Sequence, residues 1–191
     1  VDTVKDEFLA KLKAAGFNWL CLGIESASDN VRDGADKSYS NDDIKEVVRK
    51  IQDAGIHVLG NYIFGLPDDS IERMQATLDL ALELNCEFGN FYSAMAYPGS
   101  PLYTQALLMG EELPEHWHQF SQHAFDSLPL ANQYCSSAEI TAFRDNAWNK
   151  YFASPAYLEL VDKKFGRSVV DHIGRMAAVP LARKHMADNA A

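Results

Sequence analysis

Three stretches constrain the fold of this chain more than any other feature: WLCLGI (residues 19–24), HVLGNYIF (57–64) and FGNFYSAM (88–95). Each is nearly continuous in apolar or aromatic residues. Such runs suit parallel strands covered by helices on both faces, rather than hairpins with one wet face. On that reading Cys21 is a small buried hydrophobe inside the first strand.

Helical patterns with recognisable ends lie between the runs. SNDDIKEVVRKIQDAGI opens on Ser40 as N-cap with Asp43 three residues on, and Gly55 stops it. Ile44, Val47, Val48 and Ile51 fall on one helical face. DDSIERMQATLDLALELN repeats the design with Ile71, Met74, Leu78 and Leu82 inward. GSPLYTQALLMG has Ser100 as N-cap, Pro101 at the first helical position and Gly110 just past the end. Before the first run, VKDEFLAKLKAAGF reads as a helix ending at Gly16, and residues 1–3 read as the tail of a strand. The order is that of a βα array around a parallel sheet.

From about residue 111 the character changes. EELPEHWHQFSQHAFDSLPLANQY is a polar and aromatic connector without clear periodicity. Ser136 and Glu139 then form a capping box for a helix through about Phe152, which Pro155 ends; two further helices divide near Gly166. The expected organisation is a βα unit at 1–110, a connector at 111–135 and a helical extension at 136–191.

Composition excludes several classes. The chain has 27 acidic against 17 basic residues, a net charge of −10, which argues against bulk binding of nucleic acid. It contains no run long and apolar enough to span a membrane and no basic-then-apolar leader. Its three cysteines, Cys21, Cys86 and Cys135, are far apart, which fits neither a disulfide scaffold nor a close-spaced metal motif. A cytoplasmic, reducing compartment is the expectation.

In parallel α/β folds ligands lie at the carboxyl ends of strands. Here those ends are Gly23-Ile24-Glu25-Ser26, then NYIFGLPDDS, then FYSAMAYPGSP. Singly each has an ordinary reading: a carboxylate at a strand end is commonly a cap or ion-pair partner, and Gly-Leu-Pro is common turn chemistry. In order and at βα spacing they are more specific. The segment from LGIESASDN to YPGSPLY resembles the second half of a radical S-adenosylmethionine (SAM) enzyme core, and is most similar to the subgroup in which a cobalamin-binding domain often precedes that core. The resemblance covers roughly residues 1–105.

It implies an α/β fold, the C-terminal half of a partial (βα)6 TIM-like barrel with about three parallel strands, followed by the α-helical extension. In the family a [4Fe–4S] cluster held by three Cys reductively cleaves SAM to start radical chemistry, and the protein binds, orients and shields the cofactors. Position by position, the resemblance gives Glu25 and Ser26 a contact with the SAM ribose or amino-acid moiety, and Lys37 a pairing with the SAM carboxylate. Ile63, Phe64, Gly65 and Leu66 match the motif whose backbone packs on the adenine, although Asn61 stands where Gly is common and Asp68 where Glu is usual. Tyr92, Ala94 and Pro98 match the adenine-side lining.

The family's Cys-x3-Cys-x2-Cys motif does not occur in these 191 residues. The resemblance therefore implies that the cluster ligands lie outside this chain, on an N-terminal half of the barrel that would be its partner, and that the chain alone is inactive. It leaves open the small molecule or biosynthetic intermediate acted upon, and a cobalamin cofactor.

Two other readings stay open, a non-catalytic α/β remnant or interaction module, and a different α/β-barrel enzyme using Gly65 for a phosphate. His116, His118 and His123 in HWHQFSQH form a zinc-like triplet, which more simply reads as part of an aromatic packing strip. Asp68 and Asp69 read as helix-start carboxylates, and His57 as a core or near-core histidine.

Overall fold

The computed structural model describes residues 4–34 and 39–184. The elements run α1 (Asp6–Ala14), β1 (Trp19–Glu25), α2 (Asp29–Gly34), α3 (Asn41–Asp53), β2 (His57–Phe64), α4 (Ile71–Leu84), β3 (Phe88–Ser93), α5 (Pro101–Met109), a 3₁₀ turn (Trp117–Phe120), α6 (Ser137–Phe152), α7 (Pro155–Phe165) and α8 (Arg167–Ala177). Residues 1–3, expected as a strand tail, lie outside the described residues.

The strands form one parallel sheet in the order β1-β2-β3. Local chemistry explains why the helices start where they do. Ser40 accepts from the Asp43 backbone N–H while Asp43 reaches back to the Ser40 N–H at 2.9 Å, and Ser136 with Glu139 repeats that reciprocal pair. A cap of this kind is worth about 1 kcal/mol. Ser100 caps α5, Pro101 opens it, and Gly110 ends it in the left-handed conformation.

One face of the sheet carries the core. Val58, Tyr62 and Phe64 of β2 are fully buried there beside Leu22, Ile24 and Phe91. Tyr62 and Phe64 both stack on Phe91, at 5.2 and 6.0 Å between ring centroids, and α6 completes the layer with Tyr151 against Phe91 and Phe143 against Phe64. The helical extension is thus built into the same hydrophobic core as the strands. Tyr151, Phe152 and Tyr157 are helix-packing residues, as expected, and are all but fully buried.

Four expectations are corrected. The strands are not buried on both faces: in β2 the residues alternate between half-buried and buried. The odd positions face a side that the described helices leave largely open. Cys21 falls on that side and is exposed, not a core residue. Ile71 points outward at 42 % exposure, because α4 begins there and its inward row starts at Met74. β3 ends at Ser93 rather than continuing to Met95, although the Ala94 N–H still donates to the Phe64 carbonyl at 2.8 Å.

At the amino ends of the strands, Glu87 ties the parts together. Its buried carboxylate accepts from the Val58 N–H at 2.8 Å, from Gln52, and from Lys164 of α7. Burial alone would raise its pKa, but these donors together hold it below the ordinary value. Trp19, His57 and Phe165 form an aromatic cluster beside it, so His57 is near-core. No described helix is long and apolar enough to cross a membrane.

Candidate cofactor-binding face

The open side of the sheet is a ladder that can be read from strand register. Gly23, Asn61 and Asn90 lie side by side across the three strands, and Ile63 lies beside Tyr92 one step nearer the carboxyl ends. Asn90 Nδ2 donates to Asn61 Oδ1 at 3.0 Å, and Asn61 Nδ2 donates to the Leu22 carbonyl at 3.3 Å. Polar side chains in mid-strand on this face alone mark it as one meant to meet water or a polar ligand.

Glu25 sits at the top of this ladder. β1 is irregular between Gly23 and Glu25, and Glu25 has a φ of +65°, rare for a residue with a side chain. The turn folds its carboxylate back over Gly23: a Cβ placed on Gly23 would lie 2.5 Å from Glu25 Oε1. Glycine at 23 is therefore what makes room for the carboxylate. Residues held in sparsely populated backbone regions by their surroundings concentrate at functional sites.

What over-determines this turn was not visible in the sequence. Arg32 is completely buried, and donates from Nη1 to the Ser26 carbonyl at 2.6 Å and to Asn41 Oδ1 at 2.7 Å. Its Nη2 meets Asp29, its plane lies over Tyr39, and its Nε has no partner. Asn41 Nδ2 donates to the Ala27 carbonyl, and the Tyr39 hydroxyl donates to the Gly23 carbonyl. A buried cation shared between one backbone carbonyl and the side chains of Asn41 and Asp29 leaves no periodicity or motif, so the sequence does not announce it.

The other expected site residues divide by face. Ser26 is fully buried, and its hydroxyl is engaged by Thr77 of α4 at 3.1 Å and by the Ser28 N–H at 3.1 Å. Ile63 and Tyr92 line the open face with Glu25, Tyr92 being 38 % exposed. Phe64 belongs to the closed face, and Ala94 is buried. Pro98 is exposed beyond β3. Lys37 lies outside the described residues.

Gly65 turns the chain at the end of β2 with φ +82°, a conformation that favours glycine. Its N–H donates to Asp69 Oδ2 at 3.0 Å, and Ile140 of α6 packs so closely that a Cβ would sit 2.6 Å from it. Burial pushes the Asp69 carboxyl up to about 6, against the pull of the Gly65 and Ser70 N–H groups. Asn132, from the connector, donates to the Leu66 carbonyl at 2.9 Å and the Asp69 carbonyl at 3.2 Å. The extension thus grips this turn from behind.

The sequence pattern that defines the radical SAM superfamily matches residues 1–81. Over those residues the chain is similar to the radical SAM superfamily. Among curated relatives it is 25 % identical over 158 residues to an uncharacterised methyltransferase of Pyrococcus horikoshii, covering 83 % of this chain and 34 % of that one. It is 27 % identical over 159 residues to the anaerobic magnesium-protoporphyrin IX monomethyl ester cyclase of Rubrivivax gelatinosus, covering 83 % and 28 %. The chain therefore spans about a third of the length of these relatives. The structure of the radical SAM methyltransferase TsrM from Kitasatospora setae, solved with cobalamin and a [4Fe–4S] cluster, superposes with a TM-score of 0.53 at 17 % identity, covering 78 % of this chain and 28 % of that one. That likeness concerns the fold, a three-stranded parallel α/β sheet of the superfamily's partial-barrel type.

The superfamily's cofactors are SAM and a [4Fe–4S] cluster. The cluster does not fit this chain's own cysteines. Cys21 lies on the open face, while Cys86 is buried with its thiol pushed up to about 12 by burial, and Cys135 is buried in the core. Among the described residues no group of three or more His, Cys, Asp or Glu could hold a metal ion. His118 instead pairs with Asp126 at 3.1 Å and stacks on His116. SAM fits the open face, since the Glu25 carboxylate, which accepts hydrogen bonds, suits a diol or an ammonium.

Proposed function

We propose that this chain supplies the SAM-binding, substrate-facing half of a radical SAM barrel, with the cluster ligands outside its 191 residues. The observation that carries the reading is the Glu25 carboxylate, held in a left-handed turn above Gly23 on the open face of the sheet. When bound beside a reduced cluster, SAM supplies a carbon radical that starts chemistry on a substrate; cobalamin, as in the subgroup this chain resembles, would widen the outcome to methyl transfer.

The chain's own residues do quieter work. Glu25 accepts hydrogen bonds from the ribose diol or the ammonium, Ile63 and Tyr92 give the adenosine a half-apolar wall, and the Gly65–Leu66 turn offers its backbone. Arg32 and Asn132 hold the two turns from behind, as positioning residues. Lys37 is assigned to the SAM carboxylate on resemblance alone. Ser26 serves the turn through Thr77 rather than the ligand. The substrate is a small molecule entering from the open face. Reconstituting this chain alone with iron and sulfide should yield no cluster absorbance.

The test is calorimetric titration of SAM into the protein carrying its cluster. Glu25→Ala should weaken binding about tenfold or more, as loss of a charge-assisted hydrogen bond does, with unfolding unchanged. Unaltered affinity would remove Glu25 from the site.

A further inference from the structure

A second feature lies two strands away from Glu25, on the outer edge of β3. Arg144 of α6 is 4 % exposed, and its Nε donates to the Phe91 carbonyl at 2.8 Å. Its Nη1 donates to Asp145 Oδ1 at 3.0 Å. Asp145 is engaged further by Arg183, whose Nε and Nη2 reach Oδ2 and Oδ1 at 2.8 Å each. Arg183, itself buried, also donates to the Ala124 and Gln122 carbonyls, and the Gln122 amide pairs with both the N–H and the carbonyl of Ser93. The edge of β3 is thereby closed by side chains, and the segment after α8 is pinned across α6.

This pinning encloses a cleft of about 740 Å³ between α6 and residues 176–181. Its walls are mainly apolar, with Trp148, Met176, Val179 and Leu181, and Arg144 and Asp145 lie at its polar end. Among the described residues Arg144 Nη2 makes no hydrogen bond, and it is not one of the fully buried nitrogens without a partner, as Arg32 Nε is. The oxygens of Asp145 are already taken by the two arginines, so two guanidinium groups share one carboxylate and the polar end carries an excess positive charge. His123, also on the lining, reports that field: partial burial lowers its pKa, and Arg144 and Arg183 lower it further against Asp145. In a chain of net charge −10 such a spot is uncommon.

We propose that this cleft binds an aromatic carboxylate, with Arg144 Nη2 on the carboxylate and the ring against Trp148 and Met176. The chemistry follows from the parts. A buried guanidinium with one unused nitrogen and two fixed ones is pre-organised for a charge-assisted bond, and its anchoring has already met the ordering cost. An indole and a thioether beside it favour an aromatic body over a linear one. The lining of the cleft shares no residue with the SAM face.

The test uses two probes of one shape, 2-naphthoate and its neutral amide, titrated into the intact protein and followed by the indole N–H signals of its three tryptophans. Naphthoate should bind about tenfold more tightly than the amide and shift Trp148 while leaving Trp19 and Trp117 in place. Arg144→Met should abolish that preference. Because Arg144 also holds Phe91, Val179→Glu provides the independent variant: Val179 is 65 % exposed at the rim, so the fold tolerates the change while the new carboxylate repels the ligand. It should weaken naphthoate about tenfold and leave the amide nearly unchanged. Equal binding of acid and amide, shifts at Trp19 or Trp117 instead, no binding of either probe, or a Val179→Glu protein that holds naphthoate as tightly as before would each overturn the proposal.

Discussion

The two faces of the sheet come from the same three strands and do opposite work. On the closed face Tyr62, Phe64 and Phe91 stack under Phe143 and Tyr151, and among the described residues the Tyr62 hydroxyl, beside the Cys86 thiol, is the buried polar atom there without a hydrogen-bond partner. On the open face the matching positions are Gly23, Asn61 and Asn90, with the Glu25 carboxylate above them. The contrast separates what keeps the chain folded from what is available to a ligand. A strand can serve both because its side chains alternate.

The sharpest way to break this contrast is to hollow the closed face. Phe91→Ala should cost about 3–5 kcal/mol in denaturant unfolding, since it leaves a cavity among rings that cannot all collapse into it. A cost below about 1 kcal/mol would mean that the stack is not the core. Next in size is the turn at the end of β2. Gly65→Ala combines a left-handed backbone with a Cβ 2.6 Å from Ile140, and should destabilise by about 2–3 kcal/mol.

Two buried carboxyls at opposite ends of the strands should respond to pH with opposite sign. Asp69 titrates near 6 in the folded chain, above its ordinary value, so its contribution to stability is full below about 4 and is lost as pH rises through 6. Glu87 is held below its ordinary value by Lys164 and its other donors, so its contribution is present above about 4.5 and is lost as pH falls through its folded value. Asp69→Asn should therefore flatten the stability profile between pH 4 and 7 and Glu87→Gln the profile below pH 4.5, each costing about 1–2 kcal/mol at pH 7 from lost or mismatched hydrogen bonds. Profiles of the same slope for both variants would contradict the assignments. The smallest effect belongs to the open face: Asn90→Ala should change stability by less than about 1 kcal/mol, because its partner Asn61 can turn to water.

Much of this was legible in advance. The apolar runs, the capping boxes at Ser40 and Ser136, Pro101 and Gly110 all mark their elements correctly, because each acts through its nearest neighbours in sequence. The alternation within the strands was hidden, because Cys21, Leu59 and Ile63 keep the open face nearly as apolar in composition as the closed one; only Asn61 and Asn90 break it. Arg32, Asn132, Arg144 and Arg183 were invisible for a different reason. Their partners are mostly carbonyls of Ser26, Leu66, Phe91 and Ala124, and a backbone carbonyl has no residue identity to pair with in sequence. The Glu-Ser pair at the end of β1 reads as a unit in the sequence, and the fold divides it between an open face and a buried network.

The central claim is that SAM binding belongs to the open face of the sheet. Its most direct test is a chemical-shift map of the protein on addition of millimolar SAM. The account predicts movement of the Gly23, Glu25 and Gly65 backbone amides and the Asn61 and Asn90 side-chain amides, with the methyls of Ile44, Val58 and Leu78 unmoved. Shifts concentrated on those closed-face methyls, or a map with no response at Gly23 and Glu25, would contradict it.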